Sequence, residues 1–476
     1  MTRRTRFTRI FMGLAACLLL LNAQTAQSQP LEFDEVLSSV TAHDPRIRRA
    51  VEEVRRASGV TTEARGAFDP RVDGDLALTG GAYYDLRSAN AELRQPTSFW
   101  GSEIYVGYRI GVSIDQRWPT YLDNQTLSGG ELRAGIDLPI WRGGVIDEPR
   151  AKRARAIHLE EAAEEDLSST ALNLELAAAG AYWNWVSAGQ KLEVTKALLA
   201  LAEDRDTQLR RGLAAGSIAE FDVTDNERIL LERRALLVSA QRGFEQAAFA
   251  LSLFLRDSSG RSVVPAPSRL PQQATRSPEP ELVEDLVMSR VLSCHPELGS
   301  ARAKLDAAEI DVKLTRNQLA PELRGRFRYS RDLGELTGTD LDFTLPGNVF
   351  QAGLELSMPL LFRNERGRAS AARAKVAATQ AGIDLLEDQL IARVRDAASA
   401  VRAARERVEL SQQVVGTAEE LARGERRRFE YGSSNLIFVN LREQQAAMAR
   451  VQLIDAVALA EIERTRWETT TQVECR

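Results

Sequence analysis

Apolar residues recur with heptad spacing along residues 147–211, a segment that contains no proline after Pro149. The steps alternate between four and three residues, so these side chains fall on one stripe of a helix, as in coiled coils. The stripe has two interleaved rows: Leu167, Leu174, Ala181, Ala188, Thr195, Ala202 and Leu209, and Ala171, Ala178, Trp185, Leu192 and Leu199. At 1.5 Å per residue, roughly 60 residues make a helix of about 90–100 Å, which requires partner helices.

The chain supplies such a partner between residues 369 and 423, where the pattern returns with mostly small seam residues. These are Leu390, Val394, Ala397, Val401, Ala404, Val408, Ser411, Val415 and Ala418. Each long segment ends in a glycine-containing turn, and the two turns, Arg211–Ser217 and Arg427–Ser433, align without gaps at an offset of 216. A shorter helix follows each turn, with apolar positions related by the same offset: Val223, Leu230, Leu237, Phe244 and Leu251, then Val439, Ala446, Leu453, Ala460 and Trp467.

The chain also repeats itself before the long helices. An offset of 251 carries Pro45 onto Pro296 and Pro70 onto Pro321 without a gap, which indicates an internal repeat of about half the chain. The predicted organisation is a first repeat over 29–257 and a second over 281–476, joined by a proline- and serine-rich linker over 258–280. In the first repeat we expect a helix, strands within 71–139, a long helix over 147–211 and a return helix over 218–256. In the second we expect a helix, strands within 322–358, a long helix over 366–428 and a return helix over 435–470.

Between the helices the periodicity changes to two. The segment Leu323–Ser330 places its aromatic residues on one face and Arg324, Arg326 and Arg328 on the other, and 350–358 and 132–138 alternate in the same way. Strands of about nine to eleven residues with one apolar and one polar face are typical of transmembrane barrels. Each copy leaves its strands through a proline, Pro139 or Pro359, which ends the strand pairing before the long helix.

The cleanest alternation in the chain, over 104–115, lies in an insertion. The offset between the copies falls from 251 before the strands to 220 after them, so the first copy carries 31 extra residues. Because the helices before and after the strands should lie on the same side of a membrane, each copy needs an even number of spanning strands. The segment 102–116 either pairs with a partner around 82–93 or replaces one of the other predicted strands.

The N-terminus predicts export. Arg3, Arg4, Arg6 and Arg9 precede a short apolar stretch, and Ala26-Gln27-Ser28 fits a cleavage site, so residues 1–28 are interpreted as a signal peptide. Cys17 lies inside the apolar stretch rather than at its end, which leaves lipidation open as the less favoured alternative. The net charge of −5 becomes −9 without the leader, which gives no support for nucleic-acid binding.

The residues show no arrangement for catalysis. The serines lack a histidine base, no phosphate-binding loop is present, and acidic pairs such as Glu160 and Glu161 fit a solvated helix face. We therefore expect no enzyme activity, no metal and no cofactor. Cys294 and Cys475 are expected to be free thiols. The arginine-rich run 423–428 has two equally weighted interpretations, favourable charge at a helix C-terminus or pairing with carboxylates of a partner or a gate.

Taken together, these features resemble the TolC family of outer-membrane efflux and secretion ducts. The resemblance covers the mature chain and is carried by the duplicated unit, the strand exits Leu-Pro-Ile-Trp-Arg-Gly-Gly and Met-Pro-Leu-Leu-Phe-Arg, and the two turns. The family pattern at the turns includes a glycine followed by Asp-Val, which Gly216 and Asp222-Val223 keep, whereas Phe438-Val439 lacks the aspartate.

The resemblance implies a mainly α fold with a transmembrane β part, built from two tandem repeats. Three chains of four strands each would form a 12-stranded barrel continued by a helical tunnel in the periplasm. The resemblance implies a homotrimer. The strand count independently requires oligomerisation, because four strands cannot close a barrel alone and the smallest membrane barrels have eight. The implied function is a passive outer-membrane export duct that docks to a periplasmic adaptor and an inner-membrane pump, embedded in outer-membrane lipid.

Two sets of site residues follow from the resemblance. The adaptor-facing turns are assigned to Arg211, Gly212, Gly216, Ser217, Asp222, Arg427, Tyr431, Gly432 and Ser433. The barrel lumen is assigned to Arg324, Arg326 and Arg328. An alternative function is a periplasmic adaptor with a coiled-coil hairpin, which would lack lipid-facing strands. The exported substrate and the class of inner-membrane transporter stay open at this point.

Overall fold

The computed structural model describes residues 29–80, 85–113, 126–271, 284–335, 347–473 and 475. The expected leader 1–28 with Cys17, the second part of the linker (272–280) and the end of the segment 102–116 lie outside the described residues. In chain order the elements are α1 (Phe33–His43), α2 (Pro45–Gly66), β1 (Arg71–Gly80), β2 (Asp85–Pro96), β3 (Glu103–Ser113), β4 (Glu131–Pro139), α3 (Glu148–Ala214), α4 (Glu220–Leu251), a short 3-10 helix (Pro267–Arg269), α5 (Glu284–Cys294), α6 (Pro296–Asn317), β5 (Glu322–Asp332), β6 (Val349–Ser357), α7 (Arg363–Glu430) and α8 (Leu436–Thr471).

The chain divides into two compact units. The first, called here the helical unit, comprises the residues up to Val51, Leu167–Pro296 and Glu387–Arg476. The second, called the sheet unit, comprises Glu52–Asp166 and Glu297–Leu386. Among the described residues, no helix is long and apolar enough to cross a membrane.

The helical unit is held by its heptad seams. Trp185 and Ala178 from α3 are fully buried, and Leu390 and Val394 from α7 are as well. The largest apolar cluster joins α1, α3 and α4, with Trp185 stacked on Phe244 at a centroid distance of 6.0 Å. Tyr182 is buried there and donates its hydroxyl to the carbonyl of Leu31 at 2.8 Å. The seam predicted from the sequence is thus the surface on which these helices pack.

The sheet unit contains one antiparallel sheet of six strands in the order β1-β2-β3-β4-β5-β6. Register partners on neighbouring strands lie on the same face of the sheet, so the character of each face can be followed across all six strands. One row across all six strands is apolar: Val72, Leu93, Val106, Ala134, Tyr329 and Phe350. An adjacent row on the opposite face is polar apart from one glycine: Arg71, Arg94, Tyr105, Gly135, Arg328 and Gln351.

The expectation of four strands per chain is corrected to six. The inserted segment forms β3, which pairs with β2 over Leu86–Pro96 and with β4 over Glu131–Asp137. Of the two alternatives left open by the sequence, the structure therefore shows the first, a partner strand from the 82–93 region. The first repeat contributes four strands and the second contributes two, because the 31 extra residues add one complete up-and-down strand pair to the first copy.

The expectation that the cysteines of the helical unit are free was wrong. Cys294 at the end of α5 and Cys475 after α8 form a disulfide, with Cα atoms 4.7 Å apart and 181 residues between them in sequence. Helices α5 and α8 pack against each other, which brings the two residues together although neither has a cysteine near it in the sequence. The pairing ties the C-terminal segment to the start of the second repeat.

Candidate docking turns and polar strand face

The first turn lies at the C-terminal end of α3, where a glycine reverses the chain. Gly216 has φ +73°, a left-handed conformation that favours glycine. The Gly216 amide donates to the carbonyl of Leu213 at 3.0 Å, and the Ser217 amide donates to the carbonyl of Gly212 at 2.9 Å. This pair of bonds is a Schellman motif, which satisfies carbonyls that a helix end otherwise leaves open.

The second turn, at the end of α7, repeats this geometry 216 residues later. Gly432 has φ +70°, and its amide donates to Phe429 at 2.9 Å, while the Ser433 amide donates to Arg428 at 2.8 Å. In both turns the serine hydroxyl adds a bond to the same carbonyl, at 3.1 Å for Ser217 and 2.9 Å for Ser433. The sequence similarity of the turns therefore reflects one shared backbone structure.

The two return helices begin differently, which accounts for the missing aspartate. The N-cap of α4 is Ala219, which has no side-chain acceptor, and Asp222 supplies negative charge in the first turn of that helix. The N-cap of α8 is Asn435, whose side-chain oxygen accepts from the Phe438 amide at 3.1 Å. Since Asn435 satisfies the helix end, a carboxylate at position 438 is not needed for capping.

The turns pack on each other through a small apolar cluster and leave the predicted residues at the surface. Leu209, Val223 and Leu436 are buried, with Ile218 and Phe429 against them. Tyr431 is 86 % exposed beside Gly432, and Arg211 and Arg427 are exposed as well. The structure thus brings both predicted turns together at one end of the helical unit.

A buried carboxylate behind these turns was missed by the sequence analysis. Glu443 of α8 has 2 % side-chain exposure and contacts three arginines from three other helices. Arg205 of α3 lies at 2.6 Å, Arg426 of α7 at 2.9 Å and Arg233 of α4 at 3.7 Å. Arg205 also donates to Asn440. A single glutamate therefore joins α3, α4, α7 and α8 close to the two turns.

The charges and the burial of this cluster shift the pKa values of Glu443 and Arg233. Burial opposes ionisation of Glu443, but hydrogen bonds and charges from Arg205 and Arg426 outweigh it, and the pKa of Glu443 is lowered. Burial also lowers the pKa of Arg233, which Glu443 partly offsets. Glu443 is consequently a carboxylate at neutral pH, where it balances part of a buried positive charge.

The arginine-rich run 423–428 contributes to this arrangement. Arg426 binds the buried Glu443, and Arg428 contacts Glu425 at 3.4 Å and Glu419 contacts Arg423 at 3.5 Å. The run therefore makes ion pairs inside the chain as well as placing positive charge at the end of α7. Arg427 is exposed and stays a predicted contact for a partner.

The three arginines assigned to the lumen lie on the polar face of the sheet unit. Arg324 contacts Glu322 at 2.8 Å and Arg326 contacts Glu355 at 2.6 Å. Arg328 donates to the hydroxyl of Tyr105 at 2.9 Å. Their common face agrees with the alternation in the sequence, and their placement in a lumen stays a prediction.

Comparison with known proteins identifies the fold. Residues 287–466 match the family described as outer membrane efflux protein. Among solved structures, the chain is similar to the outer-membrane channel OprN, with a TM-score of 0.66 and 16 % identity over 93 % of this chain and 90 % of that one. It is also similar to the outer-membrane channel CmeC of Campylobacter jejuni, with a TM-score of 0.66 and 14 % identity over 92 % and 85 % of the two chains. The outer-membrane protein VceC of Vibrio cholerae gives a TM-score of 0.65 and 16 % identity over 93 % and 97 %. No curated protein matched the sequence.

The fold is that of the outer-membrane channel-tunnels, a mainly helical chain with an antiparallel sheet. The family match over residues 287–466 is to the same class of proteins that the sequence resembles.

Proposed function

We propose that the chain is one subunit of a passive trimeric export duct. In this proposal the sheet lies in the outer membrane, the helices extend into the periplasm, and substrate passes through a water-filled lumen. A periplasmic adaptor docks at the two turns, and an inner-membrane transporter supplies the energy. The duct works in a tripartite efflux pump or a type I secretion system.

The observation that carries this proposal is the six-stranded sheet with one apolar and one polar face. Val72, Leu76 and Phe350 are 75 %, 84 % and 81 % exposed on the apolar face. Such a surface is unfavourable in water and favourable in lipid. A sheet with open edges is not stable in lipid, so several copies must close it. The alternative of a periplasmic adaptor is not favoured, because an adaptor has no use for lipid-facing strands.

The turns are suited to docking because they are rigid and exposed. Each backbone is fixed by a Schellman motif, and Tyr431 stands out from the surface with little contact. Exposed aromatic and arginine side chains are frequent anchors of protein interfaces. The exposed pair Tyr431 and Arg427 is therefore the proposed contact for the adaptor.

Two measurements test the proposal. Fractionation of the native host should place the full-length protein in the outer membrane as a trimer, whereas an adaptor would remain in the inner-membrane or soluble fraction. A photo-crosslinking residue at Tyr431 should then capture a periplasmic adaptor, while the same residue at Val238, which is exposed on α4 away from the turns, should not. A monomeric protein outside the outer membrane would refute the duct, and equal capture at both positions would refute the docking site.

A further inference from the structure

The six strands of the sheet are similar in length. The six strands contain 10, 12, 11, 9, 11 and 9 residues, and about nine to eleven tilted residues span a bilayer. The two edge strands are therefore not shorter additions to the sheet. Each has the length of a complete membrane-spanning element.

Strands β1 and β2 also keep the faces of the sheet. Val72 and Leu93 continue the apolar row that runs through Val106 to Phe350. Arg71 and Arg94 continue the polar row on the opposite face. A hairpin that left the sheet would not need this match, because its two faces would meet the same environment.

A buried ion pair fixes β2 to the rest of the polar face. Glu92 of β2 contacts Arg133 of β4 at 2.7 Å, although β3 lies between them. The side chains meet because Gly107 occupies the intervening position, where an added Cβ would lie 2.5 Å from Glu92. Both charged side chains are largely buried, with 8 % and 14 % exposure.

A second contact across a glycine of the intervening strand occurs one strand further along the sheet. Tyr105 of β3 crosses β4 at Gly135, where an added Cβ would lie 2.5 Å from the tyrosine ring, and its hydroxyl accepts from Arg328 of β5 at 2.9 Å. Two glycine gaps therefore connect β2 to β4 and β3 to β5. Strands from the insertion and strands shared by both copies form one continuous polar surface.

The two edge strands, β1 and β6, run in the directions that pairing between two copies requires. In the described part of the chain, β1 and β6 each have one neighbour, so each leaves one edge of backbone groups open. Because six antiparallel strands alternate in direction, β1 and β6 run in opposite directions. The β6 edge of one copy can therefore pair antiparallel with the β1 edge of a second copy.

We propose that β1 of each subunit pairs with β6 of the next, which makes the outer-membrane pore an 18-stranded barrel. This inference rests on the proposed trimeric duct and differs from the expected 12-stranded barrel in the number of strands that form the pore. Three copies of six strands give an even number of strands, as membrane barrels of this kind have, and no edge stays open. Since barrel diameter grows roughly linearly with strand number, the pore is about 1.5-fold wider than one of 12 strands.

The competing arrangement makes a different contact. If the β1–β2 hairpin left the wall, β3 would become the edge strand and would pair with β6 of the next copy in a 12-stranded barrel. The two arrangements therefore differ in which strand neighbours β6 across the subunit boundary. Cysteine crosslinking distinguishes them directly.

Cysteines are introduced in the full-length protein on the apolar face, where the register allows several combinations. One panel pairs positions of β1 with positions of β6: Gly74, Leu76 or Leu78 with Phe350, Ala352 or Leu354. The second panel pairs β3 with the same β6 positions, using Val106, Tyr108 or Ile110. A Leu93→Cys, Val106→Cys variant is the control for crosslinking within the chain, because these residues are register partners.

After oxidation in outer-membrane fractions, the first panel should give crosslinks between subunits and the second should give none. Crosslinks between subunits in the second panel would overturn the 18-stranded pore. An intact trimer with no crosslink in the first panel, while the Leu93–Val106 control forms its bond, would overturn it as well. Failure of the proposed duct is seen separately, as a chain that stays monomeric by size-exclusion chromatography with light scattering.

Discussion

At the residue scale, the positions that need a left-handed backbone conformation could be recognised from the sequence, whereas the buried charged residues could not. Gly216 and Gly432 were recognised because each stands in a turn between two apolar stripes, and both adopt positive φ. Glu443 was missed because a glutamate on an amphipathic helix normally faces water. Its partner Arg205 lies 238 residues away in the chain, so only packing of the four helices shows the pair.

The turn glycines are required for their conformation rather than for space. An added Cβ at Gly432 meets nothing within 4 Å, but an L-residue in the left-handed region costs about 1–2 kcal/mol, and β-branched residues suffer most. Gly432→Val should abolish export while the trimer stays intact, and Gly432→Asn should retain export, since asparagine tolerates this conformation. Export in whole cells and trimers on unheated gels are the measurements. Equal loss in both variants would show that added volume matters, and normal export in Gly432→Val would contradict the prediction.

The Glu443 cluster should control the stability of the helical unit. Glu443→Gln removes the only negative charge among three buried or half-buried arginines described there, and breaking such an arrangement typically costs about 3–5 kcal/mol. The expected result is a lower denaturation midpoint of the helical signal at neutral pH. Glu203→Gln is the matched control, because Glu203 is half exposed and pairs with Arg234 at 3.5 Å. Exposed pairs of this kind contribute about 0–1 kcal/mol.

The pH dependence of that difference gives a second check. Because the folded pKa of Glu443 is lowered, its stabilisation is fully present above the unfolded value of about 4.3 and is lost as the pH falls through the lowered value. The stability difference between the wild-type protein and Glu443→Gln should therefore shrink in acid. A difference that stayed constant from neutral to strongly acidic pH would show that packing, not charge, is lost in the variant.

At the element scale, the helices were easier to predict than the strands. A heptad seam repeats many times in α3, and its residues Leu174, Trp185 and Leu209 are buried. Strand β2 gave a weak signal, because alanines and Leu93 form most of its apolar side while Glu92 and Arg94 occupy the other. Its assignment required the partner strand β3 and the ion pair across Gly107. Short elements with small apolar residues are recognised mainly by what pairs with them.

The face assignment of β1 is testable at two adjacent positions. Leu76 lies near the centre of the strand on the apolar face, and Ala77 lies on the polar face opposite Ser88. An arginine facing lipid at mid-membrane depth costs about 2–4 kcal/mol, whereas a lumen-facing arginine does not. Leu76→Arg should reduce the trimer in outer-membrane fractions, and Ala77→Arg should leave it near the wild-type amount. Equal behaviour of the two variants would place β1 outside the membrane wall.

The disulfide should stabilise the helical unit. Closing a loop of 181 residues restricts the unfolded chain, which corresponds to as much as about 5 kcal/mol in the chain-entropy treatment. Reduction should lower the thermal midpoint of the wild-type protein and have no effect on the Cys294→Ser, Cys475→Ser double variant. Thiol alkylation before and after reduction, followed by mass spectrometry, checks the bond itself. Labelling of either cysteine without reduction would contradict it.

At the scale of the whole molecule, the two copies agree in their helices and differ in their strands. The turns repeat bond for bond at an offset of 216, so the surface proposed for docking is duplicated. The sheet has four strands from one copy and two from the other. The insertion therefore alters the part of the chain assigned to the membrane and leaves the helical part unchanged. In the proposed duct, the additional strands widen the pore and leave the surface proposed for docking unchanged.

Removal of β1 and β2 should leave a barrel of 12 strands. Deletion of residues 71–101 joins Pro70 to Ser102 and leaves β3 as the new edge strand. Arg133→Gln accompanies the deletion, because Arg133 loses its buried partner Glu92. Since diameter scales with strand number, end-on electron-microscopy averages of the detergent-solubilised trimer should show a barrel about one third narrower than the wild type. The helical end should keep its width, which provides the reference within each particle. A barrel of unchanged diameter in the deletion variant would mean that β1 and β2 do not belong to the pore wall.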